Sequence, residues 1–495
     1  MKHASMRNAL LGATLAALAA CATPPARLAP PALRDDVPLA GLPGPARAGW
    51  PAADWWRSYG DPQLDQLIAT AMQQSPDLQQ AHSRVINAEQ SVRLAAAQVG
   101  LTVNGSAQVA RQRLSEHGLI PARFLGFTWY NQADLGLQAQ YTFDWWGKQR
   151  STIEAALDQA HAAEAQRSAA ALTIQSAVAD MYFGWQADQA QLALADQMVR
   201  IQQQLARIAG LRVAQGVDLP DTVQQAQAQL AAARELQLAI RGSAEVRKVA
   251  LAALLGIAPA ALPALQPRPL PEVDSRVPEN ARLDLIARRP DIAASRWQVE
   301  AALRQTEVAR AQFFPDISIS AMAGLSSIDL GKLISASSRT FALTPALHLP
   351  IFEGGRLQAN YGISKAQLAA AVAQYDSTVI GAARDVATQA LTAQQIAARR
   401  QQQSTRINAD QRLLASARAR ERQGVTDARE SLAAAAQLLQ QRDDAAALQA
   451  QAVSTDLALV KALGGGYRAP IDNRGGSAAA PTPSTSSGDD AHERH

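Results

Sequence analysis

The 495-residue sequence has one cysteine, Cys21, so no disulfide can form within a single chain. Aromatic residues make up only 5% of it, and the net charge is a weak +4. A nucleic-acid binder would be expected to carry a basic stripe and a set of stacking rings, so that class is excluded. No run of about 18 apolar residues follows Ala20, so no transmembrane helix is expected there. The seven histidines are scattered and have no metal-ligand spacing. There is no Gly-x-Ser-x-Gly, phosphate loop or dinucleotide fingerprint. The Gly464-Gly465-Gly466 run lacks a Lys-Ser/Thr partner and reads as a helix stop. These absences leave catalysis without a carrier and give no reason to expect a metal or cofactor.

The N-terminus is better defined. Lys2, His3 and Arg7 precede an apolar run from Ala9 to Ala20, which is a signal-peptide layout. The run ends in Leu18-Ala19-Ala20-Cys21, which resembles a bacterial lipobox. The expectation is cleavage before Cys21 and a diacylglyceryl plus N-acyl lipid on its thiol and amine. An ordinary signal peptide with a chance cysteine is the alternative. Ala22 is not Asp, which by the bacterial sorting rule directs such a lipoprotein to the outer membrane. The Pro- and Ala-rich stretch that follows reads as an extended tether.

The strongest internal signal is duplication. Ser75-Pro76-Asp77-Leu78 recurs as Arg289-Pro290-Asp291-Ile292, and Leu255-Gly256 as Leu463-Gly464. The spacings agree better than the residues do. Pro76 to Gln98 and Pro290 to Gln312 are each 22 steps, Gly147 to Gly216 and Gly355 to Gly424 each 69, and Gly216 to Gly256 and Gly424 to Gly464 each 40. The Pro-free, Ala- and Gln-rich stretches from Lys148 to Val213 and from Arg356 to Arg422 read as helices roughly 100 Å long. Each is long enough for two shorter helices, stacked end to end, to run beside it. The turns fall at Gly216 and Gly424, with Asp218 and Asp427 expected to cap the returning helices.

Between the helices lie runs of period two: Thr102 to Val109, Gln132 to Phe143, Asp316 to Ala323 and Thr340 to Leu349. Their length suits membrane strands, apolar to lipid and polar to a lumen. A half-buried sheet in a soluble domain is the alternative. Four strands cannot close a barrel, and an open edge in lipid leaves backbone groups unpaired, so membrane-spanning strands require oligomerisation.

Four segments carry a family resemblance: Trp55-Trp56-Arg57-Ser58-Tyr59-Gly60-Asp61-Pro62-Gln63-Leu64, Tyr141-Thr142-Phe143-Asp144-Trp145-Trp146-Gly147, Leu349-Pro350-Ile351-Phe352-Glu353-Gly354-Gly355-Arg356 and Leu459-Val460-Lys461-Ala462-Leu463-Gly464-Gly465-Gly466. With these, residues 50 to 467 resemble the TolC-type outer-membrane efflux family, lipidated NodT-like branch. The resemblance implies an α+β membrane protein in which long antiparallel helical hairpins form an α-barrel. Each chain would supply four strands of a transmembrane β-barrel in a homotrimer. The implied partners are outer-membrane lipid, a periplasmic adaptor (membrane fusion) protein and an inner-membrane pump. The implied role is a passive exit duct for drugs or small solutes across periplasm and outer membrane. An exit duct for protein secretion and a non-channel periplasmic coiled-coil lipoprotein stay open as alternatives.

The implied adaptor-docking tips are Arg212, Gly216 and Val217, and Arg420, Gly424 and Val425. Family members narrow the periplasmic mouth with an Asp about nine residues past the second turn glycine. Here that position is Ala433, which leaves packing of the Ala-rich helix ends, or nearby charges such as Arg429 and Glu430, as the candidates for closing the mouth. The expected layout is a signal peptide over 1–20, a lipidated tether over 21–60 and a first repeat over 61–256 (β-hairpin 101–146, helical hairpin 147–256). A linker over 257–289 and a second repeat over 290–464 follow (β-hairpin 315–352, helical hairpin 353–464). An equatorial segment and disordered tail occupy 465–495.

Overall fold

A computed structural model describes residues 24–34, 36, 49–115, 117, 122–278 and 281–469. Cys21, the signal-peptide stretch and the tail beyond 469 lie outside the described residues. In chain order the elements are α1 (Pro62–Gln74), α2 (Pro76–Val99), β1 (Thr102–Arg113), the short α3 (Ala122–Leu125), β2 (Trp129–Phe143), α4 (Lys148–Ala214), α5 (Asp221–Leu255), α6 (Ala281–Arg288), α7 (Pro290–Ala311), β3 (Asp316–Ser327), β4 (Arg339–His348), α8 (Arg356–Arg422) and α9 (Ala428–Ala462).

The duplication is visible in the lengths. Helices α4 and α8 each have 67 residues, and the returning helices α5 and α9 each have 35. At 1.5 Å per residue the long pair reaches about 100 Å. Abundant alanine lets the rods approach closely, and Ala179, Ala252, Ala382 and Ala452 are buried between them. The packing is uneven between the repeats. Helix α7 lies against both α4 and α8, and α9 does the same, whereas α2 and α5 pack along α4 and make no extensive contact with α8. Among the described residues, one flank of the chain, formed by α2 and α5, and the opposite flank of α8 have no helix packed along them.

Two apolar clusters grip the long helices at mid-height. One joins Trp55, Leu64, Ile68, Tyr182, Phe183, Leu251 and Leu457. The other joins Leu285, Ile292, Tyr375, Val379, Val386 and Leu459. The linker contributes Leu262, Leu265 and Leu270 to the first of these clusters. Tyr182 is fully buried, and its hydroxyl donates to Asp61 Oδ2 at 2.6 Å while accepting from Gln186 and Gln63. Burial first, and then the Asp61 hydrogen bond, push its ionisation well above the usual tyrosine range.

The repeat also recurs as a contact. Gly256 ends α5 at φ +72°, and a Cβ there would lie 2.5 Å from the Gln74 carbonyl oxygen, just before Pro76. Gly464 follows α9 at φ +90°, and its Cβ would lie 1.9 Å from the Arg288 carbonyl oxygen, just before Pro290. Only glycine allows both the left-handed turn and the close approach.

Residues 24–34 are extended, as a Pro-rich stretch should be, but they are docked on the second repeat. Leu28 and Leu33 pack on the α7–α8 cluster. Arg27 pairs with Glu307 at 3.1 Å, Arg310 Nε donates to the Pro25 carbonyl at 2.9 Å, and Tyr375 donates to the Arg34 carbonyl at 2.8 Å.

Candidate functional site

The four strands form one antiparallel sheet in the order β1-β2-β3-β4. The register aligns every apolar run on one face. Val103 faces Ala139, Gly105 faces Leu137 and Ala107 faces Leu135. Tyr141 faces Ile319 and Phe143 faces Ile317. Ala323 faces Phe341 and Ala321 faces Leu343. The other face pairs Asn104 with Gln138, Ser106 with Gly136, Gln140 with Ser320 and Ser320 with Thr344. A soluble half-buried sheet would cover its apolar face with a helix, yet Leu137, Phe341 and Leu343 are 60, 87 and 69% exposed. From Ala133 to Phe143 the uncharged face runs ten residue steps. That is about 33 Å along the strand, or roughly 25 Å of height at a 40° tilt. This matches the apolar band of a membrane barrel. Strands β1 and β4 are both edges. With four strands alternating in direction, β1 and β4 run antiparallel, so copies can join edge to edge without breaking the pattern.

Beneath the sheet, short locks join strands to rods. Asp144 accepts from the backbone N–H groups of Gln149 and Arg150 at 3.0 and 2.8 Å, capping α4 from outside its first turn. Trp146 stacks on Phe314 with centroids 4.6 Å apart and donates to the Pro315 carbonyl at 2.9 Å. Lys148 reaches Asp316 at 3.3 Å. Of the adjacent tryptophans, Trp146 therefore pins the junction, while Trp145 is exposed beside Phe143. In the second repeat Arg356 holds Glu353, and this contact keeps the Glu353 carboxyl below its usual range.

At the far end, the two hairpin tips are built alike. Val217 N–H donates to the Arg212 carbonyl at 2.9 Å and Gly216 N–H to the Val213 carbonyl at 3.0 Å. Val425 and Gly424 repeat the pattern with Arg420 and Glu421, each at 3.0 Å. This is a helix end closed through a left-handed glycine, and it accounts for the Arg-x-x-x-Gly-Val spacing. Asp427 caps α9 through the Arg429 N–H. Asp218, expected to cap α5, does not. Leu219 and Pro220 intervene, the helix begins at Asp221, and the Arg212 fork takes the Asp218 carboxylate at 2.6 and 2.9 Å.

Sequence reading missed what happens next. Arg212 also lies 3.7 Å from Asp427, and Arg429 bridges Asp427 at 2.8 Å and Asp218 at 3.5 Å. Two arginines and two carboxylates, one of each from each hairpin, thus tie the tips together. The arginine hydrogen bonds hold both carboxyls below their usual range. Arg420 pairs with Glu430 within the second tip. The Arg212 side chain is therefore spent on the tip itself. The large apolar side chains that the two turns leave exposed are Val217, Leu219 and Val425. Leu219 was not singled out from sequence, although an apolar residue in a helix–helix turn was the available signal. Among the described residues no cluster of His, Cys, Asp or Glu could hold a metal ion, and no helix is long and apolar enough to cross a membrane.

A family model described as outer membrane efflux protein matches residues 67–257 and 283–465. The multidrug resistance outer membrane protein MdtP of Escherichia coli (strain K12) is 33% identical over 444 residues, 88% of this chain and 90% of that protein. The crystal structure of the outer membrane protein VceC from Vibrio cholerae aligns with a TM-score of 0.76 at 32% identity, over 84% of this chain and all of that one. The open state of the Neisseria gonorrhoeae MtrE outer membrane channel aligns at 0.74 and 26%, over 90% of this chain and 98% of that one.

Proposed function

The chain belongs to the outer membrane efflux protein family, and from that premise we propose that it works as the exit duct of a tripartite efflux pump, carrying drugs or small solutes. The observation that carries this reading is the sheet. It has an exposed apolar face of membrane height, a polar opposite face and two open edges, and it is joined to rods of about 100 Å.

The polar face supplies the lumen. Eight strands enclose a space that side chains fill, so two copies would make a plug and three is the smallest number that leaves a bore. Three copies supply twelve strands. They also let the α2–α5 flank of one chain meet the α8 flank of the next, completing the pattern that α7 and α9 make within the chain. Twelve helices about 10 Å apart around a ring leave a bore of roughly 28 Å. A bore that wide selects weakly, so specificity and energy come from the inner-membrane partner.

Cys21 is read as the lipidated residue. Pro25 rests against Arg310, a few residues before β3, which supports a placement near the barrel base. Four residues reach about 14 Å, enough for acyl chains on Cys21 to enter the adjacent leaflet. The tips carry the adaptor interface through Val217, Leu219 and Val425, with Gly216 and Gly424 shaping them. Arg212 and Arg420 support those turns from within. Arg429, together with Arg212, Asp218 and Asp427, closes the periplasmic mouth by tethering the hairpins, and Glu430 contributes through Arg420.

Purified protein in planar bilayers tests the duct directly. Discrete ion-conducting steps are expected, and a bilayer that stays sealed with protein incorporated would refute it. A deletion strain is expected to accumulate a fluorescent pump substrate. Normal accumulation together with loss of a secreted protein would move the function to secretion.

A further inference from the structure

Proline cannot donate to a sheet ladder and is confined to edges, strand starts and bulges. The four strands hold one proline, Pro345 in β4. It stands opposite Ile319 in an unbroken register. Its neighbour shows which way its nitrogen points. Ser320 Oγ donates to the Thr344 carbonyl at 3.4 Å, so that carbonyl faces β3. The Thr344–Pro345 peptide is trans. In a trans peptide the carbonyl oxygen and the nitrogen's hydrogen position point opposite ways. The Pro345 nitrogen therefore faces the open edge, and the β3–β4 ladder loses nothing by it.

Alternation along the strand extends this to the whole edge. Phe341, Leu343 and Leu347 turn their backbone groups outward with Pro345. On the other edge, Thr102 Oγ1 donates to the Gln140 carbonyl at 3.4 Å, so Gln140 and its partner Thr102 face each other. Val103, Gly105, Ala107 and Val109 then turn their backbone groups outward from β1. All these positions belong to the apolar face. When β4 of one copy meets β1 of the next, residues of that face pair with one another and the lipid-facing surface stays continuous. Phe341, Leu343 and Leu347 each bring a donor to that seam, and Pro345 brings none. The β1 residue paired with Pro345 can give its N–H to the Pro345 carbonyl but finds no donor for its own carbonyl.

A proline on a permanent edge guards against stray strand addition. This edge is closed by assembly, on the trimeric outer-membrane reading above, on which this inference rests. We propose that each seam between copies carries a fixed break at Pro345, hydrated from the lumen. An unpaired carbonyl is strongly unfavourable in hydrocarbon, so it must find water on the polar side. The lumen-facing residues of β4 around the break are Ala342, Thr344 and Ala346, short side chains that leave it within reach of water. At the same parity β2 carries the longer Gln138 and Gln140. The break makes strand pairing between copies weaker than pairing within a copy. Recognition between copies is thereby left to the rods, and a lone β4 edge offers a wrong partner only an interrupted ladder.

The test follows subunit exchange between isotope-labelled and unlabelled particles of the full detergent-solubilised protein by native mass spectrometry. Conductance is recorded on the same preparations. Pro345→Val restores the donor with a side chain suited to a strand in lipid, and a subunit that leaves must break both of its seams. Exchange should slow by about tenfold. Hydrogen exchange resolved to single amides should find the amide introduced at position 345 as protected as that of Leu343. Leu343→Val changes an edge side chain but no donor and should keep the wild-type rate. Leu343→Pro removes a second outward donor and should exchange faster. Unchanged or faster exchange in Pro345→Val, failure of that variant to assemble, or an unprotected amide at position 345 would overturn the proposal while the conducting wild type leaves the duct intact. Leu343→Pro that exchanges no faster than wild type would overturn it equally. A wild type that is monomeric and does not conduct would overturn the duct reading and this inference together.

Discussion

Arg212 and Arg429 each touch a carboxylate from both hairpins, so either one can hold the tips together or release them. The carboxyls of Asp218 and Asp427 ionise below their ordinary value of 3.8 because arginine hydrogen bonds favour the charged form. A depressed carboxyl contributes its stability above the unfolded-chain value and loses it as pH falls through the lower folded value. Single-channel conductance should therefore stay constant from pH 7 to about pH 5 and rise only below the unfolded-chain range. Arg429→Ala should raise conductance already at neutral pH, and Glu430→Ala should raise it less because its partner Arg420 lies within the same tip. Unchanged conductance in Arg429→Ala would remove these residues from the gate. The two turn glycines respond differently from the equatorial pair. Gly464→Ala meets backbone and should cost about 2 kcal/mol or more, seen as a lower unfolding temperature. Gly424→Ala has open space around it and pays only the left-handed backbone, about 1 kcal/mol. The Arg-to-Gly spacing was legible in the sequence because it is local. The ion pair between Arg212 and Asp427 was not, because it joins turns on separate repeats that come together only in the fold.

Elements were the most legible level. Fixed intervals between glycines marked the rods, since a helix converts residue count directly into length. Period two marked the strands, and the register then joined the four apolar runs into one face, which no single run could establish. The docking of residues 24–34 was not legible. Proline content gives extension, but the partners are Glu307, Arg310 and Tyr375, far along the chain. Equal rods carry a testable consequence. With α4 and α8 both 67 residues long, the tips lie level. Removing seven residues from both limbs of one hairpin should misalign them, impair particle assembly and abolish drug efflux. The same removal from both hairpins keeps the tips level and the helix faces nearly in phase, at about 20° of drift per heptad. It should restore particle assembly, measured by size in detergent. Equal loss of assembly in both designs would show that rod matching is not the constraint.

At the scale of the whole molecule, a single chain is an unfinished object. Among the described residues its sheet has two open edges, its apolar face is largely exposed, and α2, α5 and α8 keep bare flanks. In hydrocarbon each unpaired backbone group costs several kcal/mol, so the strands and rods favour the same remedy, association edge to edge. Three copies close the wall and leave a bore, whereas two leave a plug. That closure is the central claim, and the native mass of the purified, detergent-solubilised protein tests it most directly. The expected result is one species with the mass of three chains. A stable, monodisperse species with the mass of one chain would contradict it.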